Sequence, residues 1–334
     1  MRRLRLAALL LLLMTSGVVL ALGALEVYLR LSVPVLPVSP GLVQTHETRR
    51  YELVPGFRGK TYEKLVVINS LGLRDVEVSR SKAPGVVRIA CLGDSVTFGH
   101  GVLMEESYPK HLERIIREHV PSVKVEVLNF GVPSYNTVSE IAQLRESVIG
   151  FAPDAVVLEF TVYNDAETLY FATPTRKGLI TKGKDFLRQF QIYNFLGLKY
   201  YTLAQKAARL DAPAPVSRAD KIRRDFSDEN PGWQLARSAL EEFRALSLRY
   251  GFLPIAMIYP IVEDLDRYAY EFAHAKVRAV WRDRVEVVDM LPGFARHRAE
   301  DLWVSPQDGH PNPLAHRLMA EALFEVLQRK DVLQ

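Results

Sequence analysis

The chain of 334 residues contains one cysteine, Cys91. No intrachain disulfide can form, which excludes a disulfide-stapled scaffold. The eight histidines show no H-E-x-x-H spacing, so the helical zinc site of that motif is absent. An excess of one charge is also missing. Formal net charge is +4, and Arg2, Arg3 and Arg5 supply three of those charges, leaving about +1 for everything else. That balance offers no basic field for a nucleic-acid backbone. No internal repeat is visible, and after residue 25 no second long apolar run follows. What remains is 48% hydrophobic, 25% charged and 10% aromatic, the composition of a folded globular chain. Its length allows one large domain or two small ones.

The one long apolar run, Leu6 to Leu25, follows the three arginines. Twenty residues at ~1.5 Å each span about 30 Å, the thickness of a bilayer's hydrocarbon core. Basic residues before the run predict a cytoplasmic N-terminus and an external C-terminal part. The run is longer than a signal-peptide core of about 7–15 residues, so an uncleaved anchor over 1–30 is favoured. A cleaved signal peptide, with Ala21 and Gly23 before the cut and a secreted product, is the alternative. Residues 31–85 read as a stalk and wrapping segment. Pro34, Pro37, Pro40 and Gly41 oppose a helix there. Tyr51 to Asp75 mixes short strands with turns at Pro55-Gly56 and Asn69 to Gly72, and is expected to pack against the main domain.

Residues 86–330 alternate strand and helix. Strands are predicted at Val87–Cys91, Val123–Leu128, Ala155–Phe160, Leu253–Tyr259 and Val285–Val288. Helices are predicted at Ser107–His119, Val138–Ile149, Trp233–Arg249, Glu263–Trp281 and Leu314–Gln328. This order predicts a parallel five-stranded sheet with helices on both faces. An insertion at about 166–230 interrupts it. Residues 172–210 hold eight Lys/Arg, one acid and several aromatics, among them Phe186, Phe190, Tyr193 and Tyr200. Three roles fit: a membrane-surface segment, a lid, or a helical insertion packed on the domain.

Unusual polar residues follow successive strands. Ser95 ends Gly93-Asp94-Ser95 after the first, Asn129-Phe130-Gly131 closes the second, and Asn164 follows the third. His310 stands in Asp308-Gly309-His310-Pro311-Asn312 before the last helix. Open α/β sheets gather such residues at one edge. A serine hydroxyl needs a base, and an imidazole suits that role near neutral pH. A carboxylate must orient the imidazole, and a tetrahedral oxyanion needs preorganised donors. Asp94 is expected to brace its turn through backbone N–H groups. Glu159 and Asp165 are read as buried structural residues, His316 as a surface or packing residue, and His100 as a possible lining of the pocket.

In these four blocks, met in order, the chain resembles the SGNH hydrolases, also called GDSL-type esterases. The resemblance implies a flavodoxin-like three-layer α/β/α fold, no cofactor and no metal. It implies Ser95 as nucleophile, His310 as base, and Ser95, Gly131 and Asn164 as oxyanion donors. Two positions depart from the family pattern. Val162 replaces the glycine two residues before the asparagine. Gln307 stands where the acid is usual, three residues before the histidine. Asp308, one residue closer, is the favoured acid, with Asp301, Asp289 or a bare Ser–His pair as alternatives. The expected activity is hydrolysis of carboxylic O-acyl esters of small molecules, lipids or polysaccharides, outside the cytoplasm. O-acetyl transfer to an exported polysaccharide by the same site is one alternative. A non-catalytic carbohydrate-binding or scaffold protein is the other.

Overall fold

The computed structural model describes residues 2–32, 41–61, 64–166, 217–282, 284–306 and 308–333, with separate residues between 183 and 203. Pro34, Pro37 and Pro40 of the expected stalk, Tyr201 and Gln307 lie outside the described residues, as do 167–182 and 204–216 of the insertion. Arg2–Ser32 form one helix, α1. Its stretch Arg5–Leu31 has mean hydropathy 2.4 and is not buried by the rest of the protein, so it is long and apolar enough to cross a membrane.

Two small antiparallel hairpins come next: β1 (Val43–His46) with β2 (Arg50–Leu53), and β3 (Arg58–Thr61) with β4 (Lys64–Val67). Leu42, Leu53, Val66 and Ile68 from this region bury themselves against Phe98, Val132 and Tyr135. The Tyr51 hydroxyl donates to the Pro133 carbonyl at 2.7 Å. The expected short strands therefore exist, and they brace a loop that matters below.

The elements that follow include β5 (Val86–Leu92), α2 (Ser95–Phe98), α3 (Tyr108–His119), β6 (Lys124–Asn129), α4 (Thr137–Glu146), β7 (Ala155–Thr161), α5 (Arg218–Asp225), α6 (Pro231–Tyr250), β8 (Leu253–Tyr259), α7 (Glu271–Trp281), β9 (Glu286–Asp289), β10 (Trp303–Ser305), β11 (Asp308–Pro311) and α8 (Pro313–Arg329). The sheet runs β6-β5-β7-β8-β9 with every pairing parallel. Period-two alternation sends Ile89 and Cys91 to one face, and Ala90 and Leu92 to the other. Leu144 of α4, Phe243 of α6 and Val277 of α7 cover the Ala90 face. Leu112 and Ile116 of α3 and Met319 and Leu323 of α8 cover the Ile89 face. Burying one such side chain stabilises the fold by about 1.5–3 kcal/mol. This is the expected three-layer α/β/α architecture.

One predicted element needs correction, and the end of the insertion takes one of its three expected roles, a helical insertion packed on the domain. The helix expected from Glu263 begins at Glu271. Asp264 has φ 42°, a left-handed backbone that a right-handed helix cannot pass through, and a single 3₁₀ turn follows it. The last part of the insertion also belongs to the core: Ile222 of α5 and Phe226 just after it are buried in the large cluster beside Trp233.

The chain leaves β5 for β6 on one side and reaches β7 on the other. The strand order reverses there, and the carboxyl ends of β5, β6 and β7 open onto one crevice.

Candidate active site

Gly93 and Asp94 turn the chain sharply from β5 into α2, whose first residue is Ser95. A Cβ on Gly93 would lie 2.1 Å from the Thr97 hydroxyl, so the turn closes only on glycine. Asp94 caps α2 by accepting the Val96 N–H at 2.7 Å, the bracing expected of it. Its other carboxylate oxygen accepts the Asn164 side-chain amide, also at 2.7 Å. Asp94 thereby aims Asn164, which keeps a second N–H.

His310 reaches Ser95 from β11. Its Nε2 lies 2.9 Å from Ser95 Oγ, and its Nδ1 lies 2.5 Å from Asp308 Oδ1. Asp308 and His310 are both on β11, two positions apart, so the pleat puts their side chains on one face. Asp308 also accepts the His310 backbone N–H at 2.9 Å, which locks the pair. The other two acids are placed elsewhere. Asp289 is held by His274 Nδ1 at 2.9 Å and by Arg278. Asp301 is exposed on a 3₁₀ turn.

Gly131 requires a correction. Its N–H is spent on Asn129 Oδ1 at 2.9 Å. Its glycine identity serves packing, since a Cβ there would sit 2.1 Å from the Phe98 backbone nitrogen. The loop residue that faces the cleft is Ser134, three positions on. It lines the same pocket as Ser95, Asn164 and His310, and its backbone is left-handed at φ 61°. Among the described residues, neither the Ser134 N–H nor the Ser95 N–H donates a backbone hydrogen bond within the protein. Nothing in the residue type announces Ser134; the only sequence signal is its place just after Pro133 in the loop that Asn129-Phe130-Gly131 opens. Ser134→Gly should keep the N–H, relieve about 1 kcal/mol of left-handed strain and leave the hydrolytic rate unchanged. Urea unfolding and initial rates on the same preparation check both halves.

The pocket holds about 510 Å³. Tyr163, Trp303, Arg218 and Glu263 form part of its wall, and Arg218 pairs with Glu263. His100 is buried beneath rather than in the wall, with its ring centroid 4.7 Å from that of His310. Burial, and next the adjoining His310, push its pKa down to about 3. His100, Asp308 and His310 each bring one possible metal-ligand atom within 4.8 Å of one another, the one such group among the described residues. Both His310 nitrogens are already engaged, by Ser95 and by Asp308. His316, in α8, is fully buried and accepts the Tyr108 N–H at 3.1 Å, a packing role.

Arg74, from the segment before the sheet, escaped the sequence reading. It is fully buried and donates to the carbonyls of Phe98 (2.6 Å), Gly99 and Val102 (2.7 Å), pinning the chain just beyond Ser95. Burial lowers its pKa to about 10, so it stays charged at neutral pH. Each carbonyl left unpaired by its loss would cost about 1–3 kcal/mol.

Behind the turn lie Asp94, Glu140, Glu159 and Asp165, all buried. Asp165 accepts the Thr137 and Thr161 N–H groups. Among the described residues, Glu140 has no hydrogen-bond partner on either oxygen. Burial, then the neighbouring Asp165, Glu159 and Asp94 carboxyls, push the Glu140 pKa well above the usual carboxylate range. Such a group holds its proton more tightly when folded than when unfolded. The unfolded state then binds fewer protons, so stability falls as pH rises above the ordinary carboxylate pKa near ~4. Glu140→Gln should raise the Tm by a few degrees at pH 8 and by less at pH 5, read by thermal unfolding at both. An equal change at the two pH values would show that Glu140 does not titrate.

The model of the family described as GDSL-like lipase/acylhydrolase matches residues 91–318. No curated protein matches the chain. Among solved structures, the chain is similar to Axe2, an acetylxylan esterase from Geobacillus stearothermophilus, at 16% identity over 72% of this chain and 93% of that one, with a TM-score of 0.42. It is similar to LAE5, an alpha/beta hydrolase enzyme from the metagenome of Lake Arreo, at 16% identity over 74% and 96%, with a TM-score of 0.44. TesA is a third, at 13% identity over 72% and 98%, with a TM-score of 0.45.

Proposed function

We propose that this chain, which belongs to the GDSL-like lipase/acylhydrolase family, cleaves carboxylic O-acyl esters through an acyl-serine intermediate on Ser95. The observation that carries the mechanism is the continuous hydrogen-bonded line Ser95 Oγ, His310 Nε2, His310 Nδ1, Asp308 Oδ1, at 2.9 and 2.5 Å.

In this reading His310 takes the Ser95 proton as Oγ attacks the ester carbonyl. The carbonyl oxygen becomes an oxyanion, held by the Ser95 and Ser134 N–H groups and the Asn164 amide. One such donor contributes roughly 2.7–4 kcal/mol to the transition state. Asp308 keeps the proton on His310 Nδ1 and stabilises the imidazolium. His310 then protonates the leaving alcohol. Water attacks the acyl-enzyme, gives its proton to His310 and releases the acid.

We assign 1–30 to a membrane anchor, with the catalytic part, residues 86–330, on the far side from a cytoplasmic N-terminus. The support is an apolar run preceded by Arg2, Arg3 and Arg5. Residues 41–61 and 64–85 act with the catalytic part, through Arg74 and through the contact of Tyr51 with Pro133.

The test is a serine-reactive fluorophosphonate probe and p-nitrophenyl acetate applied to the full chain and to Ser95→Ala. Labelling at Ser95 and turnover, both lost in the variant, support the proposal. A folded wild type that neither labels nor turns over the ester would sink it. Adding an oligosaccharide to the same assay and measuring acylated sugar against free acid reports whether water is the acceptor.

A further inference from the structure

The part of the insertion that the structure describes is clamped to the end of α1. The Glu26 carboxylate accepts the Gln191 N–H at 2.8 Å and the Ile192 N–H at 2.9 Å. Arg30 bonds both Glu26 (2.7 Å) and the Gln189 carbonyl (3.0 Å). Every described residue from 191 to 203 is helical. Tyr193, Leu196, Tyr200 and Leu203 fall three to four positions apart, so they share one helix face. They are 37%, 60%, 76% and 65% exposed. Phe186, Leu187 and Phe190, just before the clamp, are exposed too. Nothing among the described residues covers this stripe, and in water it would be a liability.

Two observations identify what covers it. The clamp places the stripe at the end of the only described helix long and apolar enough to cross a membrane, beside exposed Tyr28 and Arg30. Aromatic and basic residues in such positions mark a membrane–water interface. The surrounding sequence, 172–210, carries seven more positive than negative charges. We propose that the described residues from 186 to 203 lie on an anionic phospholipid surface. Tyr193, Leu196, Tyr200 and Leu203 meet the acyl chains, while Lys184 and Lys199 meet the headgroups. The proposal rests on α1 spanning that same bilayer.

The experiment uses the full chain reconstituted in phosphatidylcholine vesicles with and without phosphatidylglycerol. Single cysteines at Leu13→Cys, Leu196→Cys, Tyr200→Cys and Leu235→Cys carry an environment-sensitive fluorophore. The native thiol, Cys91, is fully buried and is left in place. Brominated acyl chains serve as quencher. Leu13 reports the span itself, and Leu235, exposed on α6, reports water. The expected result is a blue shift and quenching at 13, 196 and 200 and none at 235, with the shift at 196 and 200 larger when phosphatidylglycerol is present. Quenching at 13 alone would overturn the proposal and leave the anchor standing. A blue shift at 196 and 200 without quenching would place them against protein, as a lid or a contact between copies, and would also overturn it. Failure at 13 as well would remove the anchor and the proposal together.

Discussion

Ser95→Ala is expected to lower kcat by about 10⁴-fold or more while the protein stays folded. The hydroxyl is only half-buried and makes its hydrogen bond to His310, so its loss leaves no buried polar group stranded. The remaining rate comes from oxyanion donors acting on a water attack. His310→Ala should cost about as much, and the double variant little more than either, because nucleophile and base act as one unit. Burst kinetics with p-nitrophenyl acetate supply the measurement. Additive losses in the double variant would mean that Ser95 and His310 do not work on the same proton.

Asp308→Asn is expected to cost about 10³–10⁴ in kcat with little change in KM. The asparagine fits the same space on β11. Its amide can donate to His310 Nδ1, which moves the ring proton to Nε2 and removes the acceptor that Ser95 needs. Asp301→Asn and Asp289→Asn are the controls. Asp289 already serves His274 and Arg278, so its variant should alter stability more than rate. Initial rates for the three, with urea unfolding beside them, separate the cases. Full activity in Asp308→Asn would favour a bare Ser–His pair.

Much of this fold is legible in residue pattern. Val86–Leu92 and Ala155–Thr161 are apolar runs between turn residues, and both emerge as central strands within a residue or two of expectation. The oxyanion side of the site is less legible, for a physical reason. Two of the proposed donors are backbone N–H groups, which every residue but proline possesses, and their direction depends on φ and ψ rather than on the side chain. Gly131 therefore drew attention that its packing explains, and Ser134 drew none. Arg74 was hidden differently: its partners are carbonyls 24 to 28 residues ahead, and carbonyls leave no mark in a sequence. Asp308 was half visible. Its two-residue spacing from His310 means a shared face only if the segment is a strand, and Asp-Gly-His-Pro has no strand propensity of its own. Pairing with Trp303–Ser305 makes it one.

That hairpin separates two properties of the base. The ring orientation of His310 is fixed by Asp308, two residues away on the same strand and bonded to it twice. The distance of His310 from Ser95 is set by how β10 and β11 seat against a turn 215 residues earlier in the chain. A shift of the hairpin, whether from substrate, from mutation at Trp303 or from a change at its anchoring bond to the Val262 carbonyl, would move the hydrogen-bonded His310–Asp308 pair toward or away from Ser95 as one piece. Under the proposed mechanism, reactivity would then be set by how the hairpin docks, with the two bonds between Asp308 and His310 carried along intact.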